Sequence, residues 1–166
     1  MNWQLDLDPS TNSKIYMHLY KNVKNAEDIV KKLIEGKLKC SAIKPSLIVD
    51  PFQVVVAANK ASTAKEFKTK TVYSEILFNL SISKNITASL KTFGASDGDK
   101  DLLIVLINKI NEAAETIDFI NGEEVNVNRI SELTDVSLVK KNYKIGEEEF
   151  QNNDLLDSVV SRIAIK

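Results

Sequence analysis

Apolar and polar positions change their period several times along the chain, and each change marks an element. Trp3, Leu5 and Leu7 alternate with polar residues until Asp8-Pro9-Ser10, which predicts a first strand. Ile15, Met17 and Leu19 alternate with Tyr16, His18 and Tyr20, a second strand rich in aromatics. At Asn25, a predicted N-cap, the period lengthens. Ala26, Ile29, Val30, Leu33 and Ile34 recur at helical spacing, and Gly36 supplies the stop. Lys37–Pro45 reads as a loop, and Leu47–Val49 as a short buried strand or an extended lead into the next helix. That helix organises the chain. In SLIVDPFQVVVAANKA (Ser46–Ala61), Asp50 is a natural N-cap and Pro51 sits where no N–H donor is needed. At about 100° per residue, Phe52, Val55, Val56 and Phe67 share one face with Asn59 and Thr63, while Val54, Ala58 and Ala61 lie nearly opposite. A helix apolar on two sides is a buried one. It is expected to run to Phe67, with Phe52, Val55 and Val56 in the core. Three consecutive valines disfavour a helix locally, so tertiary packing must stabilise it.

Lys68-Thr69-Lys70-Thr71 is too polar and β-branched to continue that helix. Ser74 and Glu75 open a second one through Ile76, Leu77, Phe78 and Leu80. Asn85 caps a third, carried by Ile86, Leu90 and Phe93 and ended by Gly94. Leu102–Ile107 is continuously apolar, as a central strand would be. Ile110–Ile120 reads as a helix, Val125 and Val127 as a short edge, and Arg129–Leu133 and Asp135–Lys141 as short helical pieces. Gly146-Glu147-Glu148-Glu149 reads as a polar link. In Asp154–Ile165 the residues Leu155, Leu156, Val159, Val160 and Ile163 fill one face, and Asp157, Ser158, Ser161 and Arg162 take the other. The order is strands, helices, strand, helices. It predicts an α+β fold, a small mostly antiparallel sheet with several helices packed against it. We expect a single two-layer domain over residues 1–166, with a C-terminal amphipathic helix at about 153–166.

At 166 residues and 43% hydrophobic, the chain is long enough for one real core. No apolar stretch reaches the ~18 residues of a membrane span, so no membrane partner is expected. The start, MNWQLDLDPSTNS, has neither a basic lead nor an apolar core, so nothing points to secretion. Cys40 stands alone, which excludes an internal disulfide and a cysteine-built zinc site and fits a reducing compartment. Charge is unevenly placed. Residues 1–91 carry 14 Lys against 8 acids, and residues 92–166 carry 8 Lys and Arg against 15 acids. That asymmetry hints at a basic surface that meets an anion, unless the halves interleave in space.

Catalytic signatures are missing. His18 is the only histidine and lies in a strand; no nucleophile elbow accompanies it, and it reads as a surface-facing residue. One His and one Cys do not make a transition-metal site. No glycine pattern cradles phosphate, and no cofactor is expected. Asp97, Asp99 and Asp101 surround Gly98 like the start of a calcium loop, but Ile104 stands where its later glutamate should, so the segment reads as an acidic turn. Two binding features are left. One is the lysine run Lys60, Lys65, Lys68 and Lys70, joined by Lys84 and Lys91. Gln53 and Lys60 share a polar stripe of the central helix beside Ala57 and Ala64, small residues that let a phosphate approach. The same lysines could be a solvated edge. The other feature is the C-terminal helix, whose apolar face either closes its own core or docks on a partner.

Four blocks narrow this choice: KNVKNAEDIVKKLIEGKL (Lys21–Leu38), SLIVDPFQVVVAANKA (Ser46–Ala61), KTKTVYSEILFNLS (Lys68–Ser81) and ITASLKTFGAS (Ile86–Ser96). Together with YKIGEEE and LLDSVVSRI near the end, they resemble the TPRKB family, the PRPK-binding accessory subunits of the EKC/KEOPS complex. The likeness runs through most of the chain and is weakest across Asn108–Asn128. It implies a non-catalytic subunit that binds the kinase/ATPase PRPK. It also implies support, through recruitment of tRNA, for the t6A (N6-threonylcarbamoyladenosine) modification of tRNA, with the catalytic transferase in another subunit. By the resemblance, Leu155, Leu156, Val159, Val160, Arg162 and Ile163 meet the kinase. Lys60, Lys68, Lys70 and Lys84 follow the matching blocks and, with Gln53 of the polar stripe, are expected to meet tRNA; the expected location is cytoplasmic and nuclear. The alternative is a stand-alone RNA-binding module without a kinase partner.

Overall fold

The continuous apolar run becomes the centre of the sheet. In a computed structural model that describes residues 3–166, β2 (Ser13–Lys21) and β4 (Leu102–Lys109) pair antiparallel from Ser13↔Lys109 to Tyr20↔Leu102. On the other edge of β2 two short strands lie end to end. β1 (Trp3–Asp6) pairs with its first half, and β5 (Glu123–Val125) with its last residues. β3 (Ser41–Ile43) flanks β4, giving the order β1-β2-β4-β3. β3 falls inside the segment expected to be a loop. Three residues carry no readable period, and long-range pairing holds them. β4 binds one side, while Ala95 N–H to the Ala42 carbonyl and Lys44 N–H to the Phe93 carbonyl close the other. Leu47 lies in a 3-10 turn over Pro45–Leu47 rather than in a strand.

Strand alternation sorts the core. Ile15, Met17, Leu19, Leu103 and Val105 face one way, into the main core under most of the helices. Tyr20, Leu102, Ile104 and Leu106 face the other way, where α1 (Ala26–Ile34) covers them with Ala26 and Ile29. The α+β fold is therefore as expected, but the sheet carries a third, thinner layer on its second face. β4 is apolar on both sides for this reason. Asn25 precedes α1 without capping it. Its side chain instead donates to the Phe119 carbonyl and accepts from Asn121 N–H. That clamp draws Ile117, Phe119 and Ile120 against the second face in an irregular segment, where a helix was expected over Ile110–Ile120. Ile110, Ala113 and Ala114 keep the helical spacing but stay exposed, so the segment is held by its last residues and not by a helical face.

α2 (Pro51–Thr63) begins as expected, with the Asp50 carboxylate accepting from Phe52 N–H at 2.9 Å. It ends at Thr63, because Ala64 turns extended, and Phe67 is exposed. α2 was expected to be buried on both apolar sides, and only one is fully buried. Val54, Ala57, Ala58 and Ala61 are sealed, whereas Phe52 is 49% exposed and Val56 half-buried; Val55 alone of that trio is in the core. The reason is distance between backbones. α3 (Val72–Leu80) packs on α2 closely enough for the Asn79 amide to donate to the Ala57 carbonyl at 3.2 Å. An alanine stripe permits that approach, and phenylalanine and valine would hold the helices apart.

α3 is capped reciprocally by Thr71 and Ser74, and α4 (Ile86–Phe93) by Asn85. α5 (Val136–Tyr143) follows Asp135, and α7 (Leu155–Ile165) follows Asp154, each with its carboxylate as N-cap. Between them the expected polar link forms a short helix, α6 (Glu147–Asn152). Its first turn carries Glu147, Glu148 and Glu149, whose charge suits a helix N-terminus.

Candidate functional site

Two surfaces meet where α2 runs beside α7. The first is apolar. On α2, Phe52, Val56, Asn59, Lys60 and Thr63 follow a single helical stripe, and with Ala164 of α7 they line a shallow groove of about 360 Å³. On α7 the apolar face divides. Val159 and Ile163 are sealed in the core, so the expectation that they meet a partner is corrected: they cannot do so without unfolding the helix. Leu155, Leu156 and Val160 are half-buried and keep surface to offer, and Ile165 is 84% exposed. Arg162 is not a free rim charge. Its guanidinium donates to both oxygens of Glu149 at 2.6 Å and to the Ser158 carbonyl, which ties α6 to α7. That pair holds the Glu149 carboxyl at about 2, well below its ordinary value. Phe52, Val56 and Ile165 were not among the expected partner residues. The two-sided apolar pattern of α2 was the signal for the first two, once one side was known to face outward.

The second surface is cationic. Lys60, Lys68 and Lys166 converge on a cleft of about 130 Å³ around Phe78, which Glu66 and Glu75 line as well. The Lys166 ammonium lies 3.4 Å from the centroid of the Phe78 ring and donates to the Phe78 carbonyl, and Lys68 is 6.0 Å from the same ring. Lys60 donates to the Ile163 carbonyl at 3.0 Å, near the C-terminus of α7, where a cation is favoured. Among the described residues none of the three lies within 4.0 Å of a carboxylate oxygen. Burial, then the nearby Lys60 and Lys68 charges, depress Lys166 to about 8; burial, then Lys68, depress Lys60. Lys166 was missed because nothing local in sequence joins it to Lys60 or Lys68. Lys70 and Lys84 are exposed but do not line the cleft.

Gln53 is corrected outright as an RNA contact. It is fully buried, its amide donating to the Leu47 carbonyl and the Tyr143 hydroxyl and its oxygen accepting from Val49 N–H. Tyr143 in turn donates to the Leu80 carbonyl, so one side chain ties α2 to α5 and α3. Glu75, read only as a helix opener, is buried too. It accepts from the N–H groups of Lys68 and Thr69 and from the Thr69 hydroxyl, and so fixes the loop that carries Lys68.

The remaining candidates are structural. His18 Nδ1 lies 2.9 Å from Glu124 Oε2, half-buried across the β2–β5 pair. Asp99 accepts from Lys44 Nζ at 2.7 Å and from Ser96 N–H, so the acidic turn is an anchor, and here the basic and acidic halves interleave. Burial pushes the Cys40 thiol up to about 12, which leaves it unreactive. Among the described residues no group of three or more His, Cys, Asp or Glu side chains could hold a metal ion. Among the described residues no helix is long and apolar enough to cross a membrane.

Comparison with known proteins converges on one family. The family model described as kinase binding protein CGI-121 matches residues 20–166. The chain is 43% identical over 154 residues to the EKC/KEOPS complex subunit TPRKB of Danio rerio, covering 89% of this chain and 88% of that protein. It is 30% identical to the EKC/KEOPS complex subunit CGI121 of Yarrowia lipolytica, over 82% of this chain and 83% of that one. With the subunit cgi121 of Schizosaccharomyces pombe the identity is 27%, over 98% and 97%.

Proposed function

The chain belongs to the CGI-121 family of kinase-binding proteins, and on that premise we propose that it is the accessory subunit through which a PRPK-type kinase/ATPase is held in a KEOPS complex, in cytoplasm and nucleus. Its role is binding rather than catalysis. One observation carries the reading. The α2–α7 surface presents Phe52 and Ile165 exposed and Val56 and Val160 half-buried, apolar side chains that the domain itself does not fully cover. Large apolar groups left exposed on neighbouring helices favour a protein partner. The complex would then serve the t6A modification of tRNA, and the cleft of Lys60, Lys68 and Lys166 would help hold the tRNA by its phosphates.

Co-purification with PRPK tests the reading. The parent chain is expected to form a stable complex. A Phe52→Asp, Ile165→Asp double variant should weaken it by tenfold or more, about 1.4 kcal/mol. Its thermal unfolding should be unchanged, because both side chains are exposed. Unchanged affinity would remove the α2–α7 surface from the proposal. Failure of the parent to bind the kinase, together with tight binding of free tRNA, would instead favour the stand-alone RNA-binding module.

A further inference from the structure

A second groove, sharing no residue with the α2–α7 surface, lies between α1 and the α3–α4 pair. It starts from an excess in the sequence. The apolar stripe of α1 is wider than the sheet can cover: Ala26 and Ile29 reach the core, Val30 and Leu33 are half-buried, and Ile34 is 82% exposed. The three uncovered residues all line the groove. Leu77 of α3 and Leu90 of α4 line it from the other side, and Cys40 and Ala42 line it beneath the edge of the sheet. Its volume is about 490 Å³, in the range of sites that hold a ligand or a partner's side chains.

Charge and hydrogen bonding narrow the occupant. No acidic residue lines the groove. Lys39 and Lys91 stand on it, both exposed, and among the described residues neither is paired with a carboxylate, whereas the neighbouring Lys32 and Lys37 are paired with Asp28 and Glu35. An occupant bearing carboxylates beside its apolar groups is therefore favoured, and a cationic one opposed. A strand cannot add here, because the outer side of β3 is already bonded to Phe93 and Ala95. We propose that this groove docks an acidic amphipathic helix of a partner protein, with aliphatic side chains on Leu33, Ile34, Leu77 and Leu90 and carboxylates at Lys39 and Lys91.

The test uses the full chain and fluorescein-labelled synthetic helical peptides of about five turns. One has leucines at helical spacing flanked by glutamates; the other has lysines in place of the glutamates. The acidic peptide should bind saturably in fluorescence anisotropy, about tenfold or more tighter than the basic one. Ile34→Ser should weaken it severalfold without lowering the melting temperature, since Ile34 is exposed. Lys39→Glu with Lys91→Glu should reverse the preference between the two peptides. Phe52→Asp should leave both affinities unchanged, which separates this groove from the kinase-binding reading. Equal binding of the two peptides, insensitivity to Ile34→Ser, or loss of binding in Phe52→Asp would overturn the proposal. So would binding of dodecanoate with no binding of either peptide, which would make the groove a lipid site. A dimer in sedimentation that Ile34→Ser dissolves would assign the groove to a second copy of this chain and likewise overturn it.

Discussion

Gln53 and Glu149 show how a polar residue's neighbours decide what its chemistry does. On a helical wheel Gln53 shares a stripe with Lys60, and nothing local separates them. In the fold one amide satisfies three partners inside the core, while the other side chain reaches the end of α7. The i to i+7 spacing was legible; which of the two faced solvent was not, because Tyr143 is brought to Gln53 from far along the chain. Glu149 lies in what reads as an unstructured acidic run, yet Arg162 lowers its carboxyl to about 2 from an ordinary 4.5. A carboxyl depressed by folding contributes stability above its unfolded value, and that contribution is lost as pH falls from about 4.5 towards 2. Glu149→Gln should therefore lower stability at neutral pH and flatten the stability profile over that acid window. Urea unfolding at a series of pH values measures it.

Within single elements, what could be read depended on length and on caps. α1, α2, α4 and α7 start where Asn25, Asp50, Asn85 and Asp154 predict, whether or not the side chain does the capping. β3 and α6 were missed because three and six residues are too short for a period to show. α7 illustrates the other limit. Its amphipathic face was plain, but one stripe serves two purposes, with Val159 and Ile163 inside and Ile165 outside. Val159→Ala should cost about 2 kcal/mol, from two lost methyl-sized groups and the space they leave. Ile165→Ala should change stability by no more than about 0.5 kcal/mol, as exposed substitutions do. Chemical denaturation of the two variants distinguishes a core helix from a helix that only leans on the domain.

At the scale of the whole molecule, the charge asymmetry of the sequence resolves into two different outcomes. Lys44 meets Asp99 and is neutralised, whereas Lys60, Lys68 and Lys166 gather from α2, the following loop and the end of α7 on a cleft that Glu66 and Glu75 also line, without a direct ion pair among the described residues. Glu75 offsets only part of that repulsion, since Lys166 is still depressed by burial and by its two lysine neighbours. For the proposed tRNA contact, Lys68→Gln and Lys166→Gln should each reduce the slope of log affinity against log salt by about 1. Because Lys166 is depressed to about 8, tRNA affinity should fall as pH rises through that value in the parent and stay flatter in Lys166→Gln. Stability moves the other way. The fold disfavours the charged ammonium, so the parent should become more stable as pH climbs from about 8 towards the ordinary lysine value of 10.5. Binding by nitrocellulose filter assay and unfolding over the same pH range give both signs.

The sequence by itself determined the α+β class, the central strand, most helices with their starts, the lack of a catalytic constellation and, through its long blocks, the family. These rest on local periods, caps and residue types, which act over a few residues. Tertiary structure alone decided which side of α2 is buried, that Gln53, Val159 and Ile163 belong to the core, and that Lys166 joins Lys60 and Lys68. The physical reason is common to all of them. A helix with two apolar sides has no local preference between them; an alanine stripe lets α3 approach closely, and that single packing choice turns Phe52, Val56 and the lysine edge outward.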